Sequence, residues 1–598
     1  MSTTTEKRNA KKAKPAQTKQ MTGAEIVIQS LIEQGVEVIF GYPGGAVLPI
    51  YDEIFKNKDK IKHVLVRQEG GALHAAEGYA RSTGKVGCAL VTSGPGATNA
   101  VTGLTDALMD SIPLVCITGQ VPTFMIGTDA FQEADTTGIT RPCTKHNYLA
   151  DDVEELADIM HESFHVARSG RPGPVVIDIP KDIQFAKGTY KSAKPKAAQN
   201  YQPRVEPDMA AIEAAVELMA NAKQPVFYTG GGVINAGTEA SKLLRELVRE
   251  TGFPITSTLM GLGAYPANDK QWLGMLGMHG TFEANWCMHD CDVMINIGAR
   301  FDDRVTGRID AFSPNSTKIH VDIDPSSINK NIQVQIPIVA DAKLALEAML
   351  KVWRKRKYKA DKDAMKKWWS QIEEWRAKDC LAYKKDDTII KPQYALERLR
   401  HYLAKDPRDA FITTEVGQHQ MWAAQFLPFN EPNRWMTSGG LGTMGYGLPA
   451  AIGTQIANPD GIVVDVAGEA SILMNIQEMS CAVQYKTPVK IFILNNQWMG
   501  MVRQWQELLH GERYSESYSE SLPDFVKLAE AYGGVGLRAE NVSQLDGVIE
   551  EMMQTDRVTI VDVCVDQKEN CFPMIPSGKA HNEMILAPDA ARFDKTLV

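Results

Sequence analysis

The sequence predicts an α/β protein of three doubly wound parallel sheets, and three observations lead there. Short apolar, β-branched runs that end in glycine or polar turns alternate with helical patterns along almost the whole chain. The runs are continuously apolar, as in strands covered by helices on both faces. At 598 residues the chain exceeds what one hydrophobic core can organise, so three domains of ordinary size are expected.

In chain order the early runs are Cys88-Ala-Leu-Val-Thr-Ser-Gly94, Pro113-Leu-Val-Cys-Ile-Thr-Gly119 and Pro174-Val-Val-Ile-Asp-Ile-Pro180. Pro225-Val-Phe-Tyr-Thr-Gly230, Asp292-Val-Met-Ile-Asn-Ile-Gly298 and Lys318-Ile-His-Val-Asp322 follow. Ile462-Val-Val-Asp465, Lys490-Ile-Phe-Ile-Leu494 and Val558-Thr-Ile-Val-Asp562 complete the series. Two stretches interrupt it. Residues 186–206 are polar and Lys/Pro-rich, a linker, and 352–392 carry charge and tryptophan at helical spacing, a surface helix joining domains. The division is a disordered tail over 1–21, blocks over 22–185, 206–350 and 375–565, and a C-terminal tail over 566–598. The first and third blocks look like two copies of one architecture.

The apolar fraction of 44% and charged fraction of 23% are those of a soluble globular protein. A net charge of -9 argues against a nucleic-acid or anionic-membrane partner, and no apolar run is long enough to span a bilayer. The basic, polar first twenty residues lack the apolar core of a secretory signal. Nine cysteines without a framework fit reduced thiols in the cytoplasm; Cys287 and Cys291 share a helix face without a second pair to make a metal site.

Chemistry concentrates in the third block. The run from Ile462 leads into Ala467-Gly468-Glu469-Ala470-Ser471, and Asn495-Asn496 ends the next apolar run, one strand–helix–strand crossover later. Oxygen side chains at the carboxyl ends of neighbouring parallel strands suit a hard cation bridging a diphosphate, with backbone N–H groups taking the phosphate oxygens. The first block adds Arg67-Gln-Glu-Gly-Gly-Ala-Leu-His-Ala-Ala-Glu-Gly-Tyr-Ala-Arg81, where Glu69 stands between a strand and a helix, placed to share a proton with a ring nitrogen. The second block has Gly230-Gly-Gly232 and Gly298 at strand ends, where a dinucleotide backbone can approach closely.

These strings resemble the thiamine diphosphate enzymes, whose fingerprint is Gly-Asp-Gly followed by Asn-Asn; here Glu469 stands for the aspartate and Ala470 for the second glycine. Within them, residues 21–580 are similar to the acetohydroxyacid (acetolactate) synthase catalytic subunits. The similarity is carried by Phe40-Gly-Tyr-Pro-Gly-Gly45, Thr92-Ser-Gly-Pro-Gly-Ala-Thr-Asn99, Ile126-Gly-Thr-Asp-Ala-Phe-Gln-Glu133, Gly170-Arg-Pro-Gly-Pro174, Arg300-Phe-Asp-Asp-Arg-Val-Thr-Gly307, Leu441-Gly-Thr-Met-Gly-Tyr-Gly-Leu-Pro449 and Met501-Val-Arg-Gln-Trp505. The resemblance implies pyrimidine-binding, central FAD-binding and diphosphate-binding domains, in that order, with the C-terminal tail over the active site. It makes Glu69 the proton-relay carboxylate, and Glu469, Asn496 and the Trp498 carbonyl the ligands of Mg2+. Val416, Gly417, Gln418, His419, Gly468, Ala470 and Ser471 then hold the diphosphate side, and Gly442, Thr443 and Met444 the pyrimidine.

By the same resemblance Phe131, Gln132 and Lys145 line a substrate funnel whose opposite wall is Arg304, Met501, Val502 and Trp505. The guanidinium would pin the carboxylate of an acceptor 2-oxo acid. FAD falls to Arg171, Gly231, Thr258, Leu259, Gly277, Met278, His279, Gly298, Arg300, Asp302, Asp322, Ile323 and Asp341. The implied activity decarboxylates pyruvate and joins the two-carbon unit to pyruvate or 2-oxobutyrate, the first common step toward branched-chain amino acids. It implies a homodimer or tetramer, because the relay and diphosphate blocks meet across subunits in that family, and a small regulatory subunit. Two other readings stand beside it: an FAD-dependent pyruvate oxidase, and a non-catalytic homologue, motivated by Glu469.

Overall fold

The computed structural model describes residues 19–191 and 201–587. Most of the N-terminal tail, part of the linker and the last eleven positions of the C-terminal tail lie outside the described residues.

Three six-stranded parallel sheets form the described chain. Across the first, the spatial order is Lys62–Leu65, Val38–Gly41, Gly87–Val91, Leu114–Gln120, Pro174–Pro180 and His146–Leu149. The third runs Trp435–Met436, Ala410–Thr414, Ile462–Ala467, Lys490–Asn495, Thr559–Cys564 and Val535–Ala539. Numbered along each block, both orders are the same, so the two copies read from the sequence are one topology used twice. The second sheet runs Trp272–Met275, Ile255–Ser257, Pro225–Thr229, Val293–Ile297, Thr317–Asp322 and Ile336–Val339, the strand order of a dinucleotide-binding fold.

The central strands are buried along their whole length, which is why their sequences are continuous apolar runs. Reversal of strand order opens a crevice at the carboxyl ends, between Pro225–Thr229 and Val293–Ile297 in the second sheet and between Ala410–Thr414 and Ile462–Ala467 in the third. The first and third blocks of the chain meet through the helices Glu69–Thr83 and Gly447–Ala457. Their backbones touch: a Cβ on Gly78 would lie 2.1 Å from the Ala450 carbonyl oxygen, and one on Gly453 1.9 Å from that of Ala75. The small-residue string after Glu69 is therefore a packing requirement as well as a motif.

Two expectations are corrected. Lys19–Thr22 pairs antiparallel with Lys187–Tyr190, so residues 19–21 are not tail and the linker begins only after that strand. The stretch read as a surface helix contains Lys362–Arg376, whose Trp368 and Trp375 are buried in the core of the second block. There the Trp368 indole N–H donates to the Pro225 carbonyl at 3.0 Å, so apolar burial, not domain bridging, explains the tryptophan spacing. The nine cysteines are free thiols, and no helix among the described residues is long and apolar enough to cross a membrane.

Candidate active site

Glu69, Glu469 and the second-sheet glycine turns all lie at carboxyl ends of their sheets, but in one chain they do not converge on one place. At the third sheet, Ile462–Ala467 ends in Gly468, and Glu469 opens the short helix Glu469–Ile472. Glu469 is 1% exposed and one of its oxygens, Oε1, has no partner among the described residues. Burial pushes its carboxyl up to about 8, against the backbone N–H groups of Glu469 and Asn496 that favour the charged form. A buried acceptor without a donor is costly, and such an oxygen suits a cation. Asn496 lies beside it: its Oδ1 accepts the Trp498 N–H at 3.0 Å, and its amide donates to Gln418 at 3.3 Å. The three sequence-assigned metal ligands are thus contiguous, against Gln418. His419 closes this corner. A Cβ on Gly468 would fall 2.7 Å from its ring, and burial pulls its imidazole down to about 3, so it is neutral.

A single cavity of about 1910 Å3 connects the second and third sheets. Its second-sheet side carries Gly231, Thr258, Leu259, Met278, His279, Gly298, Arg300, Asp302, Asp322, Ile323 and Asp341. Gly277 is not on the wall; it sits behind Met278, its N–H bound to Asn285 at 2.8 Å. Arg171 enters from the first block, donating to Ser111 at 2.8 Å and lying 3.4 Å from Asp324. The third-sheet side carries Val416, Gly417, Gly442 and Met444, while Gln418, His419, Thr443, Gly468, Ala470 and Ser471 lie off the wall. Arg304, Met501, Val502 and Trp505 share this cavity. The helix Gly500–Leu509 explains the latter set: Arg503 and Gln504 face inward and bind the segment after Cys564, leaving 501, 502 and 505 toward the cavity. Arg304 has an exposed ion pair with Asp303 at 3.6 Å, a weak interaction that leaves its fork available. Asp302 caps the following turn instead, accepting from the Arg304 N–H at 3.1 Å.

The first-sheet residues stand apart. Glu69 begins the helix Glu69–Thr83 and accepts from Asn99 at 2.9 Å, on a partly exposed surface. Phe131 is 88% exposed, and Gln132 beside it has a positive φ of 60°. None of the three lines the cavity. Lys145, assigned to the same funnel, does not line the cavity either. Its ammonium donates to the carbonyls of Val166 and Ser169 and lies 4.9 Å from the Tyr201 ring. An amine buried this far takes the carbonyls within reach, and burial pulls it down to about 8.

Sequence reasoning assigned no role to Glu478, yet its Oε1 accepts the backbone N–H groups of Arg67 at 2.8 Å and Gln68 at 3.1 Å, holding the turn that presents Glu69. The contact joins positions 411 apart, so no local spacing signals it. Asp178 was also missed. It accepts from Thr118 at 2.7 Å and Gln120 at 2.9 Å, and Gln120 ties down the Ala134 carbonyl of the Phe131 loop.

Three family models cover these blocks in order. Residues 21–139 match the N-terminal TPP binding domain of thiamine pyrophosphate enzymes, 212–349 their central domain and 415–563 their C-terminal TPP binding domain. The three sheets are those of this class. The chain is 49% identical to an acetolactate synthase large subunit of Haemophilus influenzae over 95% of its length and 99% of that protein. It is equally similar to the acetolactate synthase isozyme 3 large subunit of Escherichia coli, 49% over 95% and 99%. A large subunit of Cyanidium caldarium is 45% identical over 94% and 96%. The chain belongs to the acetolactate synthase large-subunit family of thiamine pyrophosphate enzymes.

Proposed function

We propose that the chain decarboxylates pyruvate and joins the remaining two-carbon unit to pyruvate or 2-oxobutyrate. The observation that carries this reading is the shared cavity, in which Arg304 and the Met501–Trp505 face open beside Val416, Gly417, Gly442 and Met444. A carboligase needs a place for a second 2-oxo acid, and a guanidinium beside an indole suits its carboxylate and its side chain. Thiamine diphosphate, when bound, supplies the electron sink for decarboxylation.

The protein's part is to bind, orient and move a proton. Glu469, Asn496 and the Trp498 carbonyl would hold Mg2+, and the unpartnered oxygen of Glu469 supports that fit. Val416, Gly417, Gln418, His419, Gly468, Ala470 and Ser471 would hold the diphosphate side, with Gly442, Thr443 and Met444 at the pyrimidine. Glu69 would hold the proton exchanged with a pyrimidine nitrogen, and Phe131 and Gln132 would exclude water from above it. Because Glu69 lies off this chain's own cavity, a second copy would bring it there, so the working unit is a homodimer or a tetramer.

FAD would take the second-sheet turns with Arg171 as a passenger, since carboligation moves no net electrons. A small regulatory subunit is a further partner, supported by the large-subunit names of the relatives. Nine free thiols support a cytoplasmic setting. Product analysis under anaerobic conditions tests the reading. With pyruvate, 2-oxobutyrate, thiamine diphosphate and Mg2+, steady acetolactate and 2-aceto-2-hydroxybutyrate are expected without an electron acceptor. Acetate formed only when an acceptor is added would make the protein an oxidase.

A further inference from the structure

Between the first and third sheets lies a buried polar cluster that the mechanism above does not use. Its members come from two neighbouring helices of the first block: His74, Glu77 and Arg81 from Glu69–Thr83, and Asp106 and Asp110 from Val101–Asp110. The side chains of Asp106 and Asp110 are 0% exposed and stand one helical turn apart. Both reach into the third block at one loop, residues 438–443.

The bonding there is specific. Asp110 accepts the backbone N–H groups of Gly439 at 2.9 Å and Gly440 at 2.7 Å, one on each carboxylate oxygen. Asp106 accepts the Ser438 hydroxyl at 2.6 Å. That commits the only proton of Ser438 to Asp106, so the same oxygen is left to accept the Thr443 N–H, at 2.8 Å. Arg81 flanks the arrangement, 3.9 Å from Asp110, and donates to the Thr437 carbonyl just before the loop. Carboxylates bonded to several backbone N–H groups fix a loop more firmly than neutral partners do. The loop so held forms the cavity wall at Ser438, Gly439, Gly440, Leu441 and Gly442.

We propose that Asp106 and Asp110 are positioning residues that set the conformation of the 438–443 loop, and with it the affinity for the pyrimidine part of the cofactor. The inference rests on the cofactor assignment given above. It concerns residues of the first block acting inside their own chain, in contrast to Glu69, which acts from a second copy.

Calorimetric titration with thiamine diphosphate at saturating Mg2+, beside thermal melts, tests it on S438A, D110N and D106N. S438A breaks the relay to Thr443, and D110N turns one acceptor oxygen into a donor facing an N–H. Each is expected to raise the dissociation constant about tenfold, the effect of one charge-assisted hydrogen bond. D106N keeps an oxygen that accepts the Ser438 hydroxyl but loses the charge, and is expected to raise the dissociation constant by a smaller factor, about threefold. A lowered melting temperature in S438A and D110N with unchanged cofactor affinity overturns the inference, as that is the signature of a merely structural cluster. If D110N does not fold, S438A decides alone by the same criterion. Failure of the wild-type chain to bind thiamine diphosphate instead sinks the cofactor assignment, and this inference with it.

Discussion

The first and third sheets share one strand order and end in opposite kinds of surface. At the end of the third, Glu469 is sealed in, with an orphan oxygen and a carboxyl pushed up to about 8 by burial. At the corresponding end of the first, Glu69 is partly exposed, with Asn99 as its partner and Phe131 standing 88% exposed nearby. A buried carboxylate is completed by something small that enters, such as a cation. An exposed one beside an exposed aromatic is suited to something large that covers it. One topology used twice thus ends in two kinds of surface, which the proposed function treats as two halves of a site carried by different copies of the chain.

The largest expected effect comes from the exposed half. Glu69→Gln keeps the shape and removes the proton relay, so turnover should fall about 10²- to 10⁴-fold while the melting temperature stays within error of wild type. Turnover held within a factor of two would mean that Glu69 moves no proton.

On the buried half, Gly468→Ala places a methyl group 2.7 Å from the His419 ring. Overpacking of this kind costs about 1–3 kcal/mol, and we expect a lower melting temperature with weakened thiamine diphosphate binding in calorimetry. Unchanged binding would show that His419 has room to move.

Glu478 joins the first and third blocks within one chain and gives a pH test. Burial raises its folded carboxyl from 4.5 to about 7, so the folded state holds this proton more tightly than the unfolded chain does. The stability it contributes is present below pH 4.5 and is lost as pH rises through about 7, amounting to at most about 3 kcal/mol. Glu478→Gln retains an acceptor for Arg67 and Gln68, and denaturant titrations across that window should show a flatter decline than wild type. An identical slope would remove Glu478 as its source.

The smallest effect is expected from Glu469→Asp, which shortens the ligand by one methylene without changing the fold. Magnesium tolerates distorted geometry poorly, so the ratio of Mg2+ to Mn2+ activation constants should change. Equal ratios in both proteins would mean that the longer side chain already meets octahedral geometry.

Much of this fold was legible because central parallel strands are buried on both faces and read as unbroken apolar runs; Pro174–Pro180 has the bounds the sequence indicates. Edge strands carried no such signal, and Trp435–Met436 and Val535–Ala539 were not recognised. Tryptophan spacing in 362–376 marked amphipathicity correctly but not which surface would bury it. For the site, strings at strand ends placed Glu69, Glu469 and Asn496 without reference to tertiary structure. The supports did not show: Glu478 and Asp110 act on backbone N–H groups far along the chain, and hydrogen bonding to a distant main chain leaves no pattern in spacing. Nor does anything local reveal that two carbonyls will claim the Lys145 ammonium.

The claim that the halves belong to different copies is tested most directly by mixing two inactive variants. Glu69→Gln and Glu469→Ala are each prepared alone, then unfolded and refolded together in equal amounts. Mixed dimers would then carry one site built from two intact halves, and turnover should return to about a quarter of the wild-type level for random pairing. A mixture as inactive as either parent, with mixed dimers demonstrated by differential tagging, would contradict the account and require both carboxylates to act within one chain.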